Sequence, residues 1–161
     1  MNIGFIGLGI MGKPMSINLL KNKQNVFISS SNDDTNDELA NYGATILADY
    51  EAVAEQSEVI ILMLPDSKEV REVVIESGLY KKFNPGTIVV DMSSINPETS
   101  KEVFNTINKD GHQYIDAPVS GGEEKAIDGT LSVMAGGDPD AFNKIKPILP
   151  VSYTHLTLPT T

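Results

Sequence analysis

The feature that most constrains this chain is a glycine turn close to its first residue. Asn2-Ile3-Gly4-Phe5-Ile6 reads as a short apolar strand, Gly7-Leu8-Gly9-Ile10-Met11-Gly12 follows with no spacer, and Lys13 to Leu20 reads as a helix. Each glycine has its own task. Gly7 lets the strand turn sharply where a Cβ would be strained. Gly9 leaves the backbone open to a pyrophosphate, and Gly12 lets the helix pack close to the sheet. The free N–H groups of the first helical turn face the same point, and the helix dipole favours negative charge there. Met11, Met15 and Leu19 recur at four-residue spacing and give the helix one apolar stripe. Strand, glycines and helix together form the dinucleotide-binding fingerprint, which implies a ligand class as well as a fold.

Strands and helices alternate along the rest of the chain. Val59 to Leu64 is a continuous apolar run ended by Pro65, as expected of a central parallel strand buried on both faces, and Thr87 to Asp91 is a second. Val26 to Ile28, Thr45 to Leu47, Tyr114 to Ala117 and Leu131 to Ala135 read as further strands. Helices are expected over Asp34 to Asn41, closed by Gly43, over Asp49 to Gln56, and over Ser67 to Ile75, with Val70, Val73 and Val74 on one side. Asn96-Pro97 starts another, with Val103, Phe104 and Ile107 as its apolar face. Asp138-Pro139 caps a last one running through Phe142, Ile145 and Leu149. The fold class is therefore α/β, a Rossmann-type doubly wound and mainly parallel sheet. Ligands of such sheets bind outside the carboxyl ends of the strands. Gly7, Leu64, Pro65, Asp91, Ser93, Ser94 and Asp116 to Pro118 are expected to converge on one crevice there.

Composition removes several function classes. The chain has no cysteine, which excludes disulfides, zinc–thiolate sites and thiol catalysis. A formal net charge of −10 disfavours nucleic acid as a partner, because a phosphate backbone needs a basic face. No apolar run approaches a membrane span, and the first apolar segment is too short for a signal peptide, so a cytoplasmic chain with no membrane partner is expected. His112 and His155 lie far apart without carboxylate spacing, so no metal site is expected. Residues 1–150 read as one dinucleotide-binding domain. Val151 to Thr161 breaks the pattern, with no Lys, Arg, Asp or Glu and four threonines, and reads as a non-native or disordered tail.

Beyond the glycines, Phe5 to Leu19 resembles throughout the N-terminal signature of the β-hydroxyacid dehydrogenase family, the 3-hydroxyisobutyrate dehydrogenase-like enzymes. Met63-Leu64-Pro65 is similar to the family's strand-end segment beside the cofactor, and Asp91-Met92-Ser93-Ser94 to its next cofactor loop. Asp116-Ala117-Pro118-Val119-Ser120-Gly121-Gly122 looks like its substrate loop. The resemblance covers Met1 to about Pro150. It implies cofactor contacts at Gly7, Leu8, Gly9, Ile10, Met11, Gly12, Leu64 and Pro65, and at Ser94 on the nicotinamide side. It implies a small hydroxy or oxo acid as substrate, held by Ser120, Gly121 and Gly122. The stretch from Lys125 to Met134 further resembles the branch that reduces 2-hydroxy-3-oxopropionate (tartronate semialdehyde) to glycerate with a nicotinamide cofactor. Read physically, the Ser120 hydroxyl and the Gly121 and Gly122 N–H groups suit a carboxylate as an anion nest, or equally a tight surface turn; the resemblance favours the first.

Two positions depart from the family. At the end of the second strand, where an acidic residue would bond the ribose of NAD or an arginine the phosphate of NADP, stand Ser29-Ser30-Ser31-Asn32, with Asp33 and Asp34 slightly late. Ser30 and Ser31 become the candidate ribose-side contacts, and the cofactor stays open between NAD and NADP. The family's catalytic lysine sits in a second, helical domain, and no segment here matches it. Lys144 and Lys146 flank a helix in the wrong context and read as solvated surface lysines, so no catalytic residue is assigned. The expectation is a chain that ends with the cofactor domain, is inactive alone, and comes from a homo-oligomeric parent. The alternatives are a 3-hydroxyisobutyrate dehydrogenase-type enzyme on another small hydroxy acid and, from another class, a non-catalytic dinucleotide-binding module. Ser120 has no paired base and is not a nucleophile. Asp91 and Asp116 read as loop-shaping carboxylates, and Glu123-Glu124 as a solvated turn.

Overall fold

A computed structural model describes residues 1–149; the tail from Val151 lies outside them. Six strands form one parallel sheet in the order β3-β2-β1-β4-β5-β6. They are β1 (Asn2–Ile6), β2 (Asn25–Ile28), β3 (Thr45–Ile46), β4 (Val59–Leu62), β5 (Ile88–Asp91) and β6 (Gln113–Asp116). The order reverses between β1 and β4, and that switch point leaves a crevice at the carboxyl ends of the two strands. The doubly wound fold expected from the sequence is the one observed.

Helices cover both faces. On one lie α1 (Gly12–Lys21), α2 (Asp33–Asn41), α6 (Gly122–Asp128) and α7 (Pro139–Ile145), packing Met15, Leu19, Leu39, Ala126 and Phe142 against Ile3, Phe5 and Ile61. On the other lie α3 (Tyr50–Gln56), α4 (Ser67–Arg71) and α5 (Pro97–Asn108), packing Ala54, Val70, Val103 and Ile107 against Ile6, Ile60 and Leu62. Neighbours on β4 thus enter opposite cores. This is why the strand reads as an unbroken apolar run. The helix starts follow their capping signals: Asn32, Asp49, Asp66, Asn96 and Asp138 each accept a backbone N–H with the side chain.

The structure departs from the sequence reading in several places. β4 ends at Leu62, two residues early, and the chain leaves the sheet at Leu64, where the amide bonds to Ser93 instead of a neighbouring strand. The helix over Ser67 to Ile75 is α-helical only to Arg71 and then widens into a π-helical turn, Glu72–Glu76. Phe104 faces outward, 42% exposed, and the buried face of α5 is Thr99, Val103 and Ile107. The strand over Leu131 to Ala135 shortens to β8 (Ser132–Val133), which pairs antiparallel with β7 (Val119–Ser120) outside the main sheet. Glu123 and Glu124 lie in the exposed first turn of α6.

Candidate functional site

The glycine turn has the geometry its spacing requires. Gly7 adopts φ +106°, and a Cβ there would overlap the Met63 carbonyl. A Cβ on Gly12 would overlap the Gly7 carbonyl oxygen and sit 3.1 Å from the Phe5 ring. A Cβ on Gly9 would meet nothing within 4 Å. Gly7 and Gly12 are therefore glycines because the protein is close around them. Gly9 has no neighbour in the protein that excludes a side chain. The first helical bond runs from the Lys13 N–H to the Gly9 carbonyl at 3.1 Å, so the N–H groups of Ile10, Met11 and Gly12 precede it. α1 also begins without a side-chain cap and without an acidic residue in its first turn, whereas α2, α3, α4, α5 and α7 are each capped by their own side chains. Donors aimed outward, a positive helix end and open space above Gly9 suit a pyrophosphate.

A cleft of about 400 Å³ lies against this turn, lined by Gly7 to Gly12, Met63, Leu64, Pro65, Tyr50 and Glu69. It brings together the turn and the β4 end as the sequence predicts. Tyr50 and Glu69 had no signal in the sequence. Tyr50 arrives because α3 packs hard on β1: a Cβ on Gly4 would lie 2.5 Å from the Ser57 hydroxyl and 2.7 Å from a Val53 methyl. Burial, and then the Glu69 charge, pushes the Tyr50 hydroxyl above its ordinary pKa, so it stays a neutral donor.

Beside the cleft, the ends of β4, β5 and β6 are tied together below the surface. Asp91 is fully buried. It accepts the Ser93 N–H at 3.0 Å and the Tyr114 hydroxyl at 2.8 Å, and the Ser93 oxygen accepts the Leu64 N–H at 2.8 Å. Burial raises Asp91 to about 6, against the pull of the Ser93 and Tyr114 hydrogen bonds. Tyr114 and Asp116 are also raised, each chiefly by burial. Asp116 pairs its backbone with Gly136 in both directions, at 2.8 and 2.7 Å. The Asp91 carboxylate thus shapes its loop, whereas Asp116 holds the neighbouring one through its backbone. Ser94 follows this network and is exposed.

The other predicted residues lie outside the lining of that cleft. Ser30 and Ser31 follow β2; the Ser30 hydroxyl accepts the Asn32 N–H at 3.0 Å, and Asn36 holds the Ser30 carbonyl at 2.9 Å. Nearby Lys13 is paired with Glu38 at 2.8 Å. Ser120 belongs to β7, while Gly121 (φ +136°) and Gly122 (φ +76°) form the entry to α6. Asn18 on α1 donates to the Ala126 and Ile127 carbonyls at 2.8 and 3.2 Å, fixing α6 to the helix that carries the glycine turn. Lys144 lines a recess with Ile88 and Gln113, the first residues of β5 and β6, at the far end of the sheet from the glycine turn.

Residues 2–155 match the family model described as the NAD binding domain of 6-phosphogluconate dehydrogenase. The chain belongs to this family. Its ligand class is accordingly the nicotinamide dinucleotides, NAD or NADP. Among relatives, the chain is 42% identical to 2-hydroxy-3-oxopropionate reductase of Escherichia coli (strain K12), over 98% of its own length and 54% of that protein's. The 3-hydroxyisobutyrate dehydrogenase of Mycobacterium tuberculosis, solved with L-serine, superposes with a TM-score of 0.89 at 29% identity, over 98% of this chain and 53% of that one. A further solved relative, in complex with NADP+, superposes at 0.88 with 34% identity, over 97% of this chain and 56% of that one. The chain spans about half the length of the curated relatives it matches. It is an NAD-binding domain of the β-hydroxyacid dehydrogenase type. Among the described residues no helix is long and apolar enough to cross a membrane.

Proposed function

We propose that this domain serves an oxidoreductase that reduces 2-hydroxy-3-oxopropionate to glycerate. The observation that carries the reading is the start of α1: uncapped, free of carboxylates, open above Gly9 and facing the cleft. Gly7 to Gly12 hold the pyrophosphate, Leu64 and Pro65 flank the ligand at the β4 end, and Ser30 and Ser31 meet the ribose side. Ser94 meets the nicotinamide side, and Ser120, Gly121 and Gly122 take the substrate carboxylate. A bound nicotinamide supplies the hydride chemistry, while these residues bind and orient. The 42% identity to the Escherichia coli reductase supports a small hydroxy acid of this kind as substrate. The lysine that the family resemblance implies is not among these residues, so the domain alone is expected to bind without turning over.

Fluorescence titration of the purified chain with NADH and with NADPH tests the cofactor site. Saturable quenching is expected, and no saturable binding of either overturns it. In the full-length protein of the source gene, reduction of 2-hydroxy-3-oxopropionate is expected to outpace oxidation of 3-hydroxyisobutyrate; the reverse order transfers the assignment to the second substrate.

Ser29 to Asn32 after β2 include neither a carboxylate to repel a 2′-phosphate nor a guanidinium to hold one; the nearest carboxylates, Asp33 and Asp34, open α2. Ser31→Arg supplies the missing fork at an exposed position and is expected to tighten NADPH binding about tenfold with little effect on NADH. Parallel titrations of the two nucleotides check this.

A further inference from the structure

Asp91 is the one carboxylate buried among the described residues, and it does not line the cleft. A buried carboxylate persists where its hydrogen bonds compensate for lost water. Here the bonds span three strands. The Ser93 N–H donates to the Asp91 carboxylate at 3.0 Å, while the Ser93 hydroxyl oxygen accepts the Leu64 N–H at 2.8 Å. Ser93 therefore joins the Leu64 amide to Asp91, by its side chain on one side and its backbone N–H on the other. Tyr114 on β6 donates to the second carboxylate oxygen and holds the group from the far side. The Leu64 amide needs this acceptor because the β4 ladder has ended at Leu62. The next residue, Pro65, has no N–H of its own.

We propose that Asp91 is a positioning residue for the dinucleotide: acting through Ser93, it fixes Leu64, Pro65 and Ser94 where the ligand crosses the ends of β4 and β5. This rests on the reading above that those three residues meet the ligand. Asp91 touches none of it. Losing the acceptor leaves a buried N–H unsatisfied, and the segment after β4 moves to find another partner.

Asp91→Asn, Asp91→Leu and Ser93→Ala separate the possibilities, read by NADH fluorescence titration and by hydrogen exchange of the Leu64 amide. Asparagine keeps the shape and an acceptor oxygen, so Asp91→Asn is expected to bind NADH within about threefold of the parent. Asp91→Leu and Ser93→Ala are expected to bind about tenfold more weakly. In both, the Leu64 amide exchanges faster while Ile61, inside β4, stays protected. That contrast distinguishes positioning from general loosening of the fold. Parent-like NADH affinity in Ser93→Ala, or unchanged Leu64 protection, overturns the proposal. If Asp91→Leu does not fold, Ser93→Ala decides alone. A parent chain that binds neither NADH nor NADPH removes the cofactor-site reading itself, and this inference with it.

Discussion

Gly9→Ala is expected to weaken NADH binding about a hundredfold and to leave the melting temperature within about 3 °C of the parent. Gly12→Ala is expected to do the opposite in kind. The two positions lie three residues apart and are both glycine, yet their surroundings differ. A methyl on Gly9 meets nothing within 4 Å, so the free protein accepts it, and the penalty appears when a pyrophosphate approaches. A methyl on Gly12 overlaps the Gly7 carbonyl and presses on Phe5, so α1 must lift away from β1 before any ligand arrives. Overpacking of that kind costs about 3 kcal/mol or more, and a fall of about 8 °C in melting temperature is expected. Thermal unfolding with and without NADH separates the cases. A Gly12→Ala chain as stable as the parent would show that helix and strand are not in contact there, and a Gly9→Ala chain that binds normally would remove the pyrophosphate from this turn.

The second large effect is on stability against pH. The carboxyl of Asp91 has a folded pKa of about 6, above the ordinary aspartate value of about 3.9 in an unfolded chain. The folded state therefore binds this proton more tightly. Its contribution to stability is fully present below about pH 4 and is lost as pH rises through about 6. The difference between the folded and unfolded values corresponds to about 3 kcal/mol. The titratable groups facing Asp91 are Tyr114 and Asp116 of β6, acids that are neutral or anionic, so no cation there compensates the Asp91 charge. Asp91→Asn removes the titration. Relative to the parent, this variant is expected to gain about 2–3 kcal/mol between pH 4 and pH 7.5, measured by urea unfolding at each pH. Parallel pH profiles for the two chains would show that Asp91 is not protonated in this range.

Much of this was legible in the sequence because it depends on neighbours along the chain. The unbroken apolar runs at Val59 and Ile88 announce strands buried on both faces. The Asn and Asp caps announce helix starts, and the spacing of Gly7, Gly9 and Gly12 predicts which glycine is crowded and which is open. What the sequence hides depends on distant partners. Tyr50 reaches the cleft only because Gly4 lets α3 press onto β1. Phe104 satisfies helical periodicity but lies at the rim of the buried face. α6 reads as a turn because Ala126 is its one buried residue, and what holds it is Asn18, more than a hundred positions earlier. The link from Leu64 through Ser93 to Asp91 joins residues from separate strands, and no local pattern reveals it.

The central place of β1 also governs when the binding turn comes into being. Ile3 pairs with Val26 on one side and with Val59 on the other, so the strand waits for two later segments before either edge is covered. Gly7 packs against the carbonyl of Met63, which becomes available only after β4 has docked. During synthesis the ligand-binding turn is therefore completed only once β4 has followed it, more than fifty residues later in the chain. A ribosome-bound chain shorter than β4 presents two bare strand edges and no nucleotide site.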